Sequence, residues 1–533
     1  MKRTNVLWIT ALLLGWAFDF LFWKHTQGLN FALYVGLCLA GGLLVLGVNG
    51  VKPAWKSLLL LVPILFFAAM TILRQEPLSL FLSFAFTLGL MGLLAVSFLG
   101  GRWPWYSPSD YVASYARLVG SMVARPLIFL SERKKSAAAA GTAENGRAGP
   151  RSGWKRFWAI LRGILIALPI VAVFAALLSS ADLVFAQRLQ EFTRLFRLEK
   201  LPEYIFRGIY ILIGAYALAG VFLHAVLKSQ DEKLFGTEKP LVPQFLGFTE
   251  AAVVLGAVVL LFASFVGIQF RYFFGGQTNI GVQGYTYSEY ARRGFGELVA
   301  VAFFSLLLFL GLSAIVRRQD LIQRRVFSGL GIGMVALVGV MLVSAFQRLL
   351  LYEAAYGFSR LRMYTHIFMI WLGVLLAVVV LLELLRRERL FALAALLASI
   401  AFAATLVLVN VDGSIVRQNV RRAAVGEGLD VATLASLSTD ALPGLVQAFQ
   451  SSSLPAGRRE AAGAALACWT HLNSNVPEAD WRAFTLTGLW GQAALKPVQA
   501  SLKQYKLQAE AWPVTVTSPQ GNKFDCYSNM YGD

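Results

Sequence analysis

Charge is scarce in this chain. Only 14% of its 533 residues are Asp, Glu, Lys or Arg, where soluble proteins of ordinary composition carry about a quarter. Cysteine and histidine are scarcer still, at three and four residues. That excludes a disulfide-dense scaffold, and no CxxC or other metal-type spacing occurs. There is no GxxxxGK[ST], so no P-loop nucleotide hydrolase, and no HExxH, GxSxG or kinase signature. The alternating ten-residue stretches of a transmembrane β-barrel are also missing. No internal repeat stands out. Neither a cofactor nor a metal is implied.

Apolar residues take the place of charge. They make up 57% of the chain, and mean hydropathy is +0.62. They gather into runs of about 20, the length a helix needs to cross roughly 30 Å of hydrocarbon. Soluble-core helices carry apolar stripes, whereas these runs are apolar all round. Backbone groups in lipid must be satisfied locally, so helices are the expected element. The pattern predicts an all-α integral membrane protein with about eleven transmembrane helices and a mainly helical C-terminal extramembrane tail. The spans are roughly 5–23, 29–48, 57–73, 78–99, 157–180, 205–227, 247–269, 297–316, 326–346, 363–385 and 390–410. The third is short and contains Pro63. The first lacks a small-residue cleavage site and contains Asp19, so it reads as an uncleaved anchor.

A net charge of +19 invites a nucleic-acid reading, but the distribution argues against it. With the N-terminus inside, the inner segments hold 24 of the 48 Lys and Arg, and 100–156 alone holds ten. The short outer loops hold about 12, largely offset by acids. This is the positive-inside pattern, which sets orientation. It predicts a plasma (inner) membrane protein with a cytoplasmic N-terminus and an extracytoplasmic C-terminus. The expected partners are the bilayer itself and an envelope protein met through the tail, and no nucleic acid.

The chain divides into a four-span block (1–99), a basic cytoplasmic connector (100–156), a seven-span block (157–410) and a tail (411–533). Residues 136–153 of the connector have linker composition. In the tail, Ser438, Thr439 and Asp440 can cap a helix carrying Leu442, Leu445, Val446 and Phe449, with Pro443 tolerated in its first turn. A second helix is expected over 457–473 and a third from Glu478, and 513–517 alternates like a strand. Trp469, Trp481, Trp490 and Trp512 are the expected small core. A domain of this size is marginal alone, so the tail is expected to dock on the membrane block. Cys468 and Cys526 both fall in it, and an oxidising compartment would permit a bond between them.

Three outer segments concentrate polar and aromatic residues. Asp182 can cap an amphipathic helix bearing Phe185, Leu189, Phe192 and Phe196. In 284–298, Glu289 and Arg293 are i,i+4, and Arg292 adds a second cation. In 347–362, Arg348, Tyr352, Tyr356 and Arg360 are four apart and share a face if the helix runs through Gly357, with Glu353 as a partner for an arginine. One reading makes these an interfacial belt. The other makes them a polar cluster at the outer mouth of the bundle, able to hold an anionic head group. Within spans, Asp19, Arg162, Arg207 and Glu383 lie near helix ends, where snorkelling or capping suffices. Glu250 lies in a first turn, where the helix dipole favours a carboxylate. His224 and His366 read as hydrogen-bonded packing residues.

The stretches SSADLVFAQ, YTYSEYARRGFGELVAVA, SAFQRLLLYEAAYGFSRLRMY and NVDGSIVRQNV resemble recurring segments of bacterial polytopic proteins classed as domain of unknown function 4173, related to the 4153 group. The resemblance covers roughly 157–445. It implies a bacterial multi-span membrane protein with no established reaction, and it supplies no catalytic residues.

Three functions compete. The first is a non-enzymatic envelope scaffold or sensor whose tail meets a partner. The second is a transporter or lipid-handling protein with its site at the outer rim. The third is a membrane enzyme using Asp182, Glu289 and Glu353 as acid/base groups, with the weakest support because carboxylates in basic loops commonly cap helices or pair with cations. An odd span count predicts that, after reduction, a membrane-impermeant thiol reagent labels Cys468 and Cys526 in intact cells. Labelling only after permeabilisation would place the tail inside and show a miscounted span.

Overall fold

The computed structural model describes residues 3–141, 200–230, 234, 244–273, 295–318, 320–474, 480–508 and 513–527, with scattered positions between 163 and 188. Ten helices among the described residues are long and apolar enough to cross a membrane. They coincide with ten of the eleven expected runs, and the other run, 157–180, lies largely outside the described residues. In chain order they begin with α1 (Thr4–Phe22), α2 (Leu29–Val48), α3 (Trp55–Leu73) and α4 (Pro77–Ser97). The amphipathic α5 (Pro108–Gly141) intervenes. Next come α6 (Leu201–Leu227), α7 (Phe248–Phe273), α8 (Phe295–Ile315), α9 (Leu321–Tyr356), α10 (Arg360–Leu384) and α11 (Phe391–Val409).

Local chemistry explains where these helices start, break and stop. Pro63 has no N–H for the Leu59 carbonyl, and α3 breaks at 59–60. Gly357 takes φ +80° and ends α9, so Arg360 starts a new helix and does not extend the Arg348–Tyr352–Tyr356 face. A side chain at 357 would collide with Arg422 and Asn419. Asn410, at φ 53°, separates α11 from the helix that follows, a left-handed position that Asn tolerates. The alanine-rich opening of the expected linker continues α5 as far as Gly141, because alanine is the strongest helix former.

The chain forms two compact units. One comprises Met1–Phe20 and Val119–His224, the other Leu21–Leu118 and Ala225–Asp533. In the first, Gly15 lets the backbone of Ile211 approach closely, bringing α1 onto α6. The buried Asp19 then accepts from Arg207 Nε at 2.9 Å and from Tyr210. Both charges, assigned by sequence to snorkelling or capping, instead pair with each other. His224 Nδ1 lies 2.8 Å from Ser121 Oγ.

In the second unit α2, α3, α4, α11, α10 and α9 pack in succession, and α9 also packs on α7 and α8. Exposed Leu, Val and Phe side chains cover the outer faces of the spans, as lipid-facing helices require. The tail belongs to this unit and contains α12 (Val411–Ala424), α13 (Val431–Ala435), α14 (Leu442–Gln450), α15 (Ala456–Leu472) and α16 (Leu486–Leu495). A three-stranded antiparallel sheet closes it, β1 (Lys506–Gln508), β2 (Thr515–Thr517) and β3 (Lys523–Asp525), with Val516 facing Leu507 and Phe524. Ser438 caps the turn before α14. The third tail helix starts at Leu486 behind its cap Thr485, later than sequence suggested, and Glu478 lies outside the described residues.

The tail core also differs from expectation. It is built from Leu434, Leu442, Leu445, Ala464, Ala465, Val516 and the Cys468–Cys526 disulfide, and it is continuous with Ile367 of α10 and Leu406 of α11. Trp469 packs against it, but Trp481 and Trp490 are exposed, and Trp512 lies outside the described residues. The Phe484 carbonyl accepts from Leu29 N at the start of α2, so this Trp-bearing segment sits where a span begins, the depth at which indole rings are at home. Replacing both Cys468 and Cys526 with Ala should destabilise the tail by about 2–4 kcal/mol. Chemical unfolding followed by tryptophan fluorescence would read this, and an unchanged midpoint would mean that the bond does not form in the cell.

Candidate functional site

The polar residues of the second unit converge where α4, α10 and α12 begin. Glu76 precedes Pro77, an arrangement that suits a helix start because proline has no N–H to leave unsatisfied. Its carboxylate accepts from Leu78 N at 2.9 Å and Ser79 N at 2.7 Å. It also accepts from Tyr364 Oη, one turn into α10. At the start of α10, Arg360 donates to Asp412 through Nε at 2.8 Å and Nη2 at 2.7 Å. Asp412 Oδ2 accepts a further bond from Ser438 N at 2.7 Å. Ser438 Oγ lies 3.3 Å from Asp440 Oδ2, which also accepts from Gln75 N at 2.9 Å and Glu76 N at 3.1 Å. The bonds therefore close a ring through three segments distant in sequence: 75–76, 360–364 and 412–440.

All three carboxylates are buried, Glu76 at 1%, Asp412 at 0% and Asp440 at 6% exposure. Arg360 is matched bidentately to Asp412, the geometry that best compensates a buried pair. Arg74 lies close by, its Nε fixed on the Val407 carbonyl at 2.8 Å. Asp440 is the least compensated member, because its Oδ1 is buried without a hydrogen-bond partner. Burial pushes the Asp440 carboxyl above the ordinary carboxylate pKa range, and the Asp412 charge adds to the rise. The Gln75 and Glu76 N–H groups and the Arg74 charge oppose it. Asp440 therefore takes up a proton more readily than an ordinary carboxylate.

The residues expected at an outer rim meet different fates. Arg360 is part of the ring. Tyr352 and Tyr356 lie on α9 with ring centroids 5.0 Å apart, and the Arg362 guanidinium stacks over Tyr352 at 4.2 Å. Arg348 shares that helix, with its Nε buried. Among the described residues the ionisable partner of Glu353 is a histidine. The Glu353 side chain is 1% exposed and lies 3.1 Å from His366 Nδ1. Asp182, in the other unit, accepts from Phe185 N at 3.3 Å in the capping role its position suggested. Glu289, Arg292 and Arg293 lie outside the described residues. Sequence reading passed over Glu76, Tyr364 and Asp412. The available signal was an acidic residue at the boundary of two spans, next to Pro77 and Asn410, on the side that also carries Arg360.

The segment from residue 61 to residue 448, more than two thirds of the chain, matches the model described as Domain of unknown function (DUF4153). The chain belongs to this family. No curated protein and no solved structure matches it. Every member of the ring lies inside the DUF4153 segment, which therefore includes the first part of the tail with the spans.

Two substitutions separate the roles within the ring. Asp412→Ala would strand the Arg360 charge and should cost about 3–5 kcal/mol. Asp440→Asn keeps an acceptor for the Gln75 and Glu76 N–H groups and removes the buried charge, so it should be close to neutral at pH 7. The raised Asp440 value means that the folded state takes up a proton more readily than the unfolded chain. Its contribution to stability is full below the ordinary value of about 4 and is lost as pH rises through the folded value. In thermal melts against pH, Asp440→Asn should abolish that slope, and an unaltered slope would assign it to another group.

Proposed function

We propose that this DUF4153 protein is a non-enzymatic membrane scaffold or sensor that presents its extramembrane tail as a rigid platform to a protein partner of the cell envelope. The observation that carries this reading is the single hydrophobic core shared by Ile367 and Leu406 of the spans with Leu442, Ala464 and Val516 of the tail. A domain tethered by a linker would search for its partner freely, whereas one fused through its core is held at a set height and orientation. The Cys468–Cys526 bond supports an oxidising compartment for the tail. The bias of Lys and Arg toward the opposite loops supports the same orientation in a plasma membrane.

The platform carries a cavity of about 480 Å³ bordered by Arg458, Lys523 and Phe524, suited to an acidic or aromatic side chain of a partner. Deleting the tail would expose the shared core, so the test uses the full chain. A photo-reactive residue at position 523 should give one discrete protein adduct in cells, and one at Leu261, on an exposed face of α7, should give lipid adducts. Absence of any protein adduct from position 523 and from position 458 would overturn the proposal.

A second reading, lipid handling at the outer rim, draws on one observation. An apolar cavity of about 480 Å³ bordered by Leu361, Phe368 and Phe402 opens beside Tyr364, where an acyl chain could lie next to the ring. A photo-reactive residue at Phe402 that captured lipid in place of its helix neighbours would favour it.

A further inference from the structure

At the far end of α10, about 35 Å from Arg360 by helix rise, the balance of charge reverses. Arg318, Arg324, Arg325, Arg386, Arg387 and Arg389 border one cavity of about 1000 Å³, with Glu383 as the one carboxylate among its described lining residues. Hydrogen bonds tie the segments that build most of it. Leu246 N donates to the Ile315 carbonyl, and Arg317 N donates to the Leu246 carbonyl, which ties the loop before α7 to the end of α8. On the floor, Glu383 accepts from Ser328 Oγ at 2.6 Å and lies 3.5 Å from Arg318. Arg318 is held further by Ser313 and stacks over Phe327 at 4.4 Å. The single acid is therefore already matched to one cation. Arg324, Arg325, Arg386 and Arg387 are exposed toward the space above it.

We propose that this cavity binds a phosphate-bearing anion, held by guanidinium groups from the start of α9 and the end of α10. Five guanidiniums beyond the Arg318–Glu383 pair repel one another in a concave site, and an anion carrying more than one charge relieves that repulsion. Guanidinium forks match the oxygens of a phosphate bidentately. Leu321, the first residue of α9, also borders the cavity, and Asp320 places no side-chain cap on that helix. The positive end of the α9 dipole therefore faces the same space. The volume suits a head group or a small phosphorylated molecule. Trp105 forms part of the wall, with Lys56 stacked over its ring at 3.9 Å, an aromatic–cation pair suited to head-group depth. A charge bias that served topology alone would need no such convergence on one cavity.

The test uses the full chain in phosphatidylcholine nanodiscs and two probes, inorganic pyrophosphate added to solution and phosphatidylglycerol mixed into the bilayer. Binding is read by native mass spectrometry and by thermal shift. At least one probe should bind, and the double variant R325Q/R387Q should weaken it by about tenfold or more, as expected for two lost charge-assisted contacts. R421Q, an exposed arginine on α12, should leave binding unchanged. Both substituted residues are exposed, and an unshifted melting temperature without probe confirms that the variant is folded. Pyrophosphate binding assigns a soluble phosphate compound, and phosphatidylglycerol binding assigns a lipid head group. Failure of both probes, or an equal loss in R421Q, would overturn the proposal.

Discussion

Asp412 has no exposed surface, and a carboxylate cannot be held in that state without partners, since an isolated buried charge costs far more than any nearby packing can return. Its partners are Arg360 and the Ser438 backbone, and each imposes a position on a different part of the chain. Arg360 sets where α10 starts relative to α12. Ser438 sets where the tail turns before α14. One turn along α10, Tyr364 reaches Glu76 and so places the start of α4. Asp440 closes the circuit onto the 75–76 backbone. The tail cannot leave the spans without stranding at least two of these charges. The polar ring and the shared apolar core therefore specify the same arrangement.

The two ends of α10 show how one helix serves opposite electrostatic environments. At one end three carboxylates exceed their cations, and the surplus is absorbed by backbone N–H groups and by the raised proton affinity of Asp440. At the other end six guanidiniums and one carboxylate, Glu383, are among the described residues that border the cavity. The first end is closed on itself by hydrogen bonds, with an apolar cavity beside Tyr364. The second is open and has cations to spare. The first is accordingly suited to holding structure, and the second to taking up an anion.

Legibility in the sequence followed the range of the interaction. Spans were legible because a run of some 20 apolar residues is a local property that lipid alone interprets. The Pro63 break, the Gly357 stop and the Ser438 cap were legible for the same reason: each acts within one turn of itself. The pairing of Asp19 with Arg207 was not, since 188 residues separate them and each is plausible alone as a helix-end charge. Glu353 faces His366 because Gly357 turns the chain back, and that turn also removed Arg360 from the Tyr352–Tyr356 face. Trp481 and Trp490 looked like core because tryptophan is large and apolar, but small residues such as Ala464 and Ala465 filled that space and left both indoles exposed.

Composition and hydrophobic run length alone mark an all-α, multi-span membrane protein with a small helical tail and a strong bias of positive charge, because hydrophobic length and charge act wherever they stand in the chain. Which charges meet followed from how the helices pack. Three carboxylates and one arginine from span ends and the tail became a closed ring, and six arginines from the end of α8, the start of α9 and the segment after α10 came to border one cavity. The reason is physical: burying a charge is tolerable only beside a partner, and partners hundreds of residues apart are brought together by helix packing.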